Sequence, residues 1–286
     1  MAARPRLASP MKNSPEPARY AVVGDPVAHS LSPLIHNAWM VEAGLDAHYE
    51  RVHLKSETVA ADIRDMARAY SGINVTLPHK IAALEASANS SPEARVVGAA
   101  NTLVRAGDGW TAHNTDVAGF EIAMRAVAGE ELRNLRVLLI GAGGAARAVV
   151  VSLNRAGAQL TIANRSAVNA AALANELAPQ AVTAGLSEVD ALSASADIIV
   201  NSASLGHAGA SLPPLAPGKG RPFLDLSYGK AAAATLQAAA SAGWAPHDGL
   251  TMLVGQAAAA FHLWFGVAPD QARALAACRA AVAART

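Results

Sequence analysis

The segment Leu135-Arg136-Val137-Leu138-Leu139-Ile140-Gly141-Ala142-Gly143-Gly144-Ala145-Ala146-Arg147 runs a short apolar stretch directly into a glycine cluster and then into helix-forming residues. This pattern predicts a strand, a tight turn and a helix N-terminus. Gly141 permits the turn, Gly143 lets the backbone approach phosphates closely, and Ala146 supplies the small side chain where helix packs on sheet. The free N–H groups of the turn, which also holds Ala142, Gly144 and Ala145, would face a pyrophosphate together with the positive end of the helix dipole. By itself the pattern also fits a glycine-rich strand-to-helix turn that binds no nucleotide.

The residues downstream favour the nucleotide. A second strand is expected at Gln159-Leu160-Thr161-Ile162-Ala163, and it ends at Asn164, 23 positions after Gly141. In a dinucleotide-binding fold the ribose-reading side chain stands there. An acidic residue would suit the free 2′-hydroxyl of NAD, whereas this chain has Asn164, Arg165 and Ser166. A carboxylate repels a 2′-phosphate and a guanidinium can clamp one with paired hydrogen bonds, so the expected cofactor is NADP. The alternative is that Arg165 is an ordinary solvated residue at a strand end.

Composition narrows the function class. The chain has 286 residues, 52% hydrophobic and 16% charged, which describes a globular, enzyme-sized protein with a substantial core. A net charge of +1 and the absence of a basic stripe with interleaved aromatics give no footprint for nucleic acid. The single cysteine, Cys278, can form no intrachain disulfide, which suits a reducing compartment. Residues 1–18 carry Pro5, Pro10, Pro15 and Pro17 without a continuous apolar run, so they read as a disordered leader, with Met11 a possible alternative start. No stretch of about 18 residues is free of charged and polar groups as a membrane span would be, so no membrane association is expected and the protein is expected in the cytoplasm.

Strands and helices alternate through the first half. A strand at Tyr20–Val23 is followed by a helix from Pro33 to Gly44, a strand from Ala47 to Leu54, a helix from Glu57 to Tyr70 and a strand at Gly72–Thr76. Lys80 stands at the start of the next helix, and residues 101–104 and 109–112 flank a hairpin turn at Ala106-Gly107-Asp108. A long helix begins at Asp116, and after the glycine turn come strands at 197–200 and 223–226. The expectation is therefore two α/β domains: residues 19–115, then 116–249 as a doubly wound Rossmann-type sheet. Residues 250–286 read as helices, with no strand left to pair, that could return to the first domain. The cleft between two such domains is where ligand sites preferentially form.

Five short polar clusters punctuate the apolar elements: Ser30-Leu31-Ser32-Pro33, Asn74-Val75-Thr76-Leu77-Pro78-His79-Lys80, Gly98-Ala99-Ala100-Asn101-Thr102, Asn114-Thr115-Asp116, and Asp248 to Gln256. With the glycine turn, these clusters give a chain that resembles the shikimate dehydrogenase family. The resemblance extends from Tyr20 to about Ala268, in the family's order and spacing, and it implies NADP-dependent reduction of 3-dehydroshikimate to shikimate.

Such a reaction needs donors for a carboxylate, partners for hydroxyls, and an acid/base at the reacting oxygen. Ser30 and Ser32 can both donate to a carboxylate, and the resemblance implies that role, with Thr76 and Tyr228 at the same end. Ser32 could also cap the helix that begins at Pro33. A lysine at a helix start inside a cleft is disfavoured as a cation, while Asp116 would oppose that by ion pairing, so the two form one coupled unit. The resemblance makes Lys80 and Asp116 the catalytic pair and assigns Asn74, Asn101 and Gln256 to substrate hydroxyls or to orienting the pair; each Asn could instead be a turn residue. It also places Gly249 and Met252 near the nicotinamide, and the loop Asn201-Ser202-Ala203-Ser204 suits the same cofactor. Nine histidines show no convincing ligand spacing, so no metal is expected.

One departure stands out. The family's NADP pattern commonly adds a second basic residue after the Asn-Arg-Ser triplet, and here Ala167, Val168 and Asn169 follow. The rival readings are a paralogue preferring quinate, a non-catalytic NADP-binding regulator on the same scaffold, and another two-domain Rossmann dehydrogenase such as a folate-linked one, which leaves Ser30 and Ser32 unexplained. Monomer and homodimer are both compatible with the sequence.

Overall fold

The computed structural model describes residues 17–55, 57–205 and 209–285. The leader expected over residues 1–18 lies outside these but for its last two, and Ala18 already belongs to the first strand.

The N-terminal unit runs β1 (Ala18–Gly24), α1 (Ser32–Glu42), β2 (Ala47–His53), α2 (Val59–Met66), β3 (Gly72–Val75), α3 (Lys80–Glu85), β4 (Asn89–Ser90), α4 (Pro92–Val97), β5 (Thr102–Ala106) and β6 (Gly109–His113). Its strands form one sheet in the order β2-β1-β3-β5-β6-β4, parallel except for β5, which runs antiparallel to both neighbours. The expected hairpin is the β5–β6 pair.

After α5 (Asp116–Ala128) the second unit runs β7 (Arg136–Ile140), α6 (Gly144–Arg155), β8 (Gln159–Asn164), α7 (Ala167–Leu177), β9 (Val182–Gly185), α8 (Val189–Ser195), β10 (Ile198–Asn201), β11 (Pro222–Asp225), α9 (Lys230–Ser241) and β12 (Ala245–His247). All six strands are parallel, in the order β12-β11-β10-β7-β8-β9. Numbered from β7, this is the doubly wound 3-2-1-4-5-6 order of dinucleotide-binding sheets. Strands buried on both faces read as continuous apolar runs rather than alternation, which is why Val137 to Ile140 and Ile198 to Val200 are fully enclosed.

The last helices, α10 (Leu250–Phe265) and α11 (Gln271–Ala283), return to the first sheet. Leu250, Val254, Phe261 and Cys278 share one apolar core with Tyr20, Trp39 and Tyr49. Trp264 Nε1 donates to the carbonyl of Leu103 at 3.1 Å and Trp39 Nε1 to that of Asp270 at 3.1 Å, so buried indole N–H groups tie the helices down.

Where α5 crosses α10 the backbones touch: a Cβ on Gly119 would stand 2.6 Å from the carbonyl oxygen of Met252 and 2.8 Å from the nitrogen of Gln256. This approach carries the side chain of Gln256 to the start of α5.

The elements not foreseen are short. β4 has two residues, and β9 and β12 are edge strands without alternation; Pro246 lies in β12, tolerable at an edge. Helix α4 has the signal of a Ser91 cap, whose Oγ accepts from Ala94 N at 3.1 Å, but spans only six residues. Helix α2 stops before the expected Tyr70, as Ala67 and Arg68 turn to carbonyls three residues back at 3.2 and 3.1 Å.

Candidate active site

A cavity of about 910 Å³ lies between the two sheets, at the carboxyl ends of β1 and β3 on one side and of β7, β10 and β11 on the other. Open α/β sheets bind ligands at such ends because helix N-termini and loop N–H groups converge there.

Lys80 opens α3 and Asp116 opens α5, and their side chains, 13% and 5% exposed, meet with Nζ 2.6 Å from Oδ2. The second carboxylate oxygen accepts from Asn101 Nδ2 at 2.9 Å, and that amide also lies 3.1 Å from Gln256 Oε1 and 2.9 Å from Thr115 Oγ1. Asn101 Oδ1 accepts the backbone N–H of Thr115 at 2.7 Å, fixing which way the amide faces. Lys80, Asp116, Asn101 and Gln256 all line the cavity. The lysine is thus aimed by a carboxylate whose other oxygen is held by Asn101.

The serine loop lies on the same wall. Ser30 Oγ donates to Ser32 Oγ at 3.2 Å, and both line the cavity with Thr76 and Tyr228. The helix cap expected of Ser32 does not form: Leu31 is the N-cap of α1, Ser32 is its first residue, and no side chain caps it. The hydroxyl is therefore not spent on the helix. Tyr228 accepts the N–H of Leu31 at 3.3 Å, leaving its own O–H to donate; burial raises this phenol's pKa.

Asn74 is brought to the network but not to the cavity lining. Its Oδ1 accepts from the hydroxyl of Tyr49 at 2.6 Å, and its Nδ2 donates to Thr102 Oγ1 at 3.0 Å and the carbonyl of Asn101 at 3.2 Å. Tyr49, whose pKa burial pushes well above the ordinary range, and Thr102 were not expected in the site. Nothing local marks Tyr49, and Thr102 has no marked role beyond its place in the Gly98–Thr102 cluster; the sheet register, which sets Asn74 opposite Thr102, brings the latter there.

On the opposite wall the glycine turn folds as expected. Gly141 has φ +110, a conformation favouring glycine, and a Cβ there would stand 2.6 Å from Ser202 Oγ. Among the described residues nothing lies within 4 Å of where a Cβ on Gly143 would be, and Gly143, Gly144 and Ala145 line the cavity with Ser202, Gly249 and Met252. Gly141 and Ala142 lie behind them. Lys80 packs on this turn, its Cβ 3.4 Å from the Cβ position of Gly144, so the Lys80–Asp116 pair sits against the glycine turn.

Asn164, Arg165 and Ser166 close β8 outside the cavity lining. Asn164 Nδ2 donates to the carbonyl of Ser166 at 3.0 Å, and Ser166 caps α7 through the N–H of Asn169 at 3.3 Å. Arg165 is exposed and has no ion-pair partner among the described residues. A bare turn and an uncommitted guanidinium at the end of the second strand fit a dinucleotide with a 2′-phosphate. Behind the turn, the Asp225 carboxylate receives Asn201 Nδ2 at 2.9 Å and the N–H of Ser227 at 2.8 Å, setting the loops after β10 and β11; burial raises its pKa against these hydrogen bonds. Among the described residues, no group of three or more His, Cys, Asp or Glu is placed to hold a metal ion, and no helix is long and apolar enough to cross a membrane.

Comparison with known proteins agrees with this geometry. Three family models match in chain order: the shikimate dehydrogenase substrate binding domain over residues 22–103, shikimate / quinate 5-dehydrogenase over 121–208, and the shikimate 5'-dehydrogenase C-terminal domain over 249–279. The shikimate dehydrogenase (NADP(+)) of Hyphomonas neptunium is 46% identical over 264 residues, 92% of this chain and 97% of the relative. The crystal structure of shikimate 5-dehydrogenase from Thermus thermophilus in complex with shikimate superposes with a TM-score of 0.79 at 35% identity, covering 93% of this chain and 99% of that one. The same enzyme with NADP(H) and shikimate gives 0.77 at 35% identity, covering 92% and 99%.

Proposed function

This chain belongs to the shikimate dehydrogenase family, and on that premise we propose that it interconverts 3-dehydroshikimate and shikimate with NADPH and NADP+ as a step toward aromatic amino acids. The observation that carries the reading is the Lys80–Asp116 pair at 2.6 Å, set in a cavity whose one wall is the serine loop and whose other is the glycine turn.

Ser30, Ser32, Thr76 and Tyr228 hold the substrate's carboxylate by neutral donors. Asn101 and Gln256 meet ring hydroxyls, and Asn74 positions Asn101 and Thr102 from behind. Bound NADPH supplies the hydride. Lys80 Nζ gives a proton to the ketone oxygen as charge develops there, and takes one back from solvent before the next turnover. Asp116 aims Lys80 and stabilises its charged form; Asn101, by donating to Asp116, keeps the carboxylate facing the lysine. Gly143, Gly144 and Ala145 offer the pyrophosphate backbone N–H groups, Ser202, Gly249 and Met252 border the nicotinamide, and Arg165 pairs with the 2′-phosphate. The reading also places the enzyme in the cytoplasm, as a monomer or homodimer.

The rival within the family is quinate. Quinate carries an extra hydroxyl on the carbon bearing its carboxylate, and Ser30 and Ser32, already engaged with each other at 3.2 Å, crowd that end. A buried hydroxyl left unpaired costs about 1 to 3 kcal/mol, so shikimate should exceed quinate by at least roughly tenfold in kcat/KM. Following NADP+ reduction with each acid tests this, and quinate turnover equal to or above that of shikimate would move the chain to the quinate reading. Absence of turnover with both would favour a non-catalytic NADP-binding role.

A further inference from the structure

We propose that Arg51, on β2 and outside the cavity, is a positioning residue for the anionic end of the substrate: it holds the Ser30–Ser32 loop and supplies the positive charge that the neutral donors lack. This rests on the functional reading above.

The guanidinium grips one acceptor with two donors. Arg51 Nε and Nη2 reach the carbonyl oxygen of Ser30 at 3.0 and 2.6 Å. That carbonyl belongs to the residue whose hydroxyl faces the ligand, so the fork sets the height of Ser30 over the cavity. The loop has few other ties: Ser30 N to the carbonyl of Val27 at 3.0 Å, Leu31 N to the hydroxyl of Tyr228 at 3.3 Å, and within the loop Ser32 N to Ser30 Oγ and Ser30 Oγ to Ser32 Oγ, each at 3.2 Å. The parallel pairing of β1 and β2, with Val22 opposite Arg51, brings the side chain to the loop that leaves β1.

The charge is uncompensated. Arg51 has no carboxylate partner among the described residues, and the neighbouring Glu50 is taken by Arg19 at 2.6 Å. Among the described residues, the only acidic one lining the cavity is Asp116, already paired with Lys80. A carboxylate entering against serine and tyrosine hydroxyls keeps its full charge; Lys230 and Arg285 also line the cavity, but the guanidinium behind the loop is the cation hydrogen-bonded to the serine loop itself. Its field reaches both phenols of that end: burial raises Tyr49 and Tyr228, and the Arg51 charge works against it.

The test compares shikimate with its methyl ester, which keeps the ring and hydroxyls but carries no charge. In Arg51→Gln, KM for shikimate should rise about tenfold with kcat changed less than about twofold and KM for NADP+ unchanged. The preference in kcat/KM for the acid over the ester should shrink by about the same tenfold. Arg51→Lys, which keeps the charge without the fork, should regain most of that preference while KM stays above the parent's. An equal loss on acid and ester, or an acid-to-ester preference unchanged in Arg51→Gln, would overturn the proposal. If the parent enzyme oxidises no shikimate, the functional reading itself fails; if it does and Arg51→Gln matches it, only the role of Arg51 fails.

Discussion

Lys80 and Asp116 each stand at the first residue of a helix, α3 and α5, and their side chains meet with Nζ 2.6 Å from Oδ2. The positive end of the α5 dipole favours the carboxylate of Asp116, while the positive end of a helix disfavours the ammonium of Lys80. The ion pair offsets that penalty. The pair is 36 residues apart in sequence and is assembled by the segment leading into β5, an inner strand of the first sheet: Asn101, just before β5, holds Asp116, and Ala100 N–H donates to the carbonyl of Lys80 at 2.8 Å.

On the proposed function, Arg165 is the residue expected to set cofactor choice. NADP+ should be preferred over NAD+ in kcat/KM, and Arg165→Ala should erode the preference by roughly ten- to a hundredfold, since a charge-assisted contact contributes about 1.5 to 3 kcal/mol. Steady-state kinetics with both cofactors checks this. Equal efficiency on the two before mutation would contradict the assignment, and Asn169, where a second cation could have stood, leaves Arg165 as the residue to remove.

Gly119 sets the distance between α5 and α10. In Gly119→Ala the new Cβ meets backbone at 2.6 and 2.8 Å, so the helices must part rather than a side chain swing away. Overpacking of this kind costs about 1 to 3 kcal/mol. The melting temperature should fall and kcat with it, because Gln256 moves away from Asn101. Gly185→Ala is the control: its nearest contact would be 3.6 Å away, and its melting temperature should stay within about one degree of the parent's.

Buried His36 makes the fold acid-sensitive. Among the described residues neither ring nitrogen has a hydrogen-bond partner, the ring stacks on Tyr49 at 4.4 Å, and burial lowers its pKa from 6.5 to about 3. Below about pH 6.5 the unfolded chain takes up a proton that the folded chain refuses until about pH 3, so stability falls as pH drops through this window. At about 1.4 kcal/mol per pH unit, roughly 2 kcal/mol should be lost between pH 7.5 and 5 from this residue. His36→Phe keeps the stacking and should flatten that part of the slope in denaturant unfolding; an unchanged slope would show that His36 contributes none of it.

Much of this architecture is legible locally. The run from Leu135 to Arg147 announces strand, turn and helix because a fully buried parallel strand has a continuous apolar signature and its turn requires glycine at φ +110. Arg165 is legible because the distance from the glycine turn fixes the end of the second strand. Edge strands β9 and β12 are not, since half-exposed three- and four-residue strands need no pattern of their own. Nor is the seating of Asn74 behind the cavity, or the role of Tyr49, because each depends on register between strands distant in sequence. Ser32 shows the opposite case: the sequence carries a cap signal before Pro33, but the helix starts one residue earlier and frees the hydroxyl.

Proton transfer by Lys80 is tested most directly by kcat for shikimate oxidation by Lys80→Ala at saturating shikimate and NADP+. A positioned acid/base contributes about 10² to 10⁴ in rate, so kcat should fall by that factor with a smaller change in KM. A kcat within about threefold of the parent enzyme would contradict it.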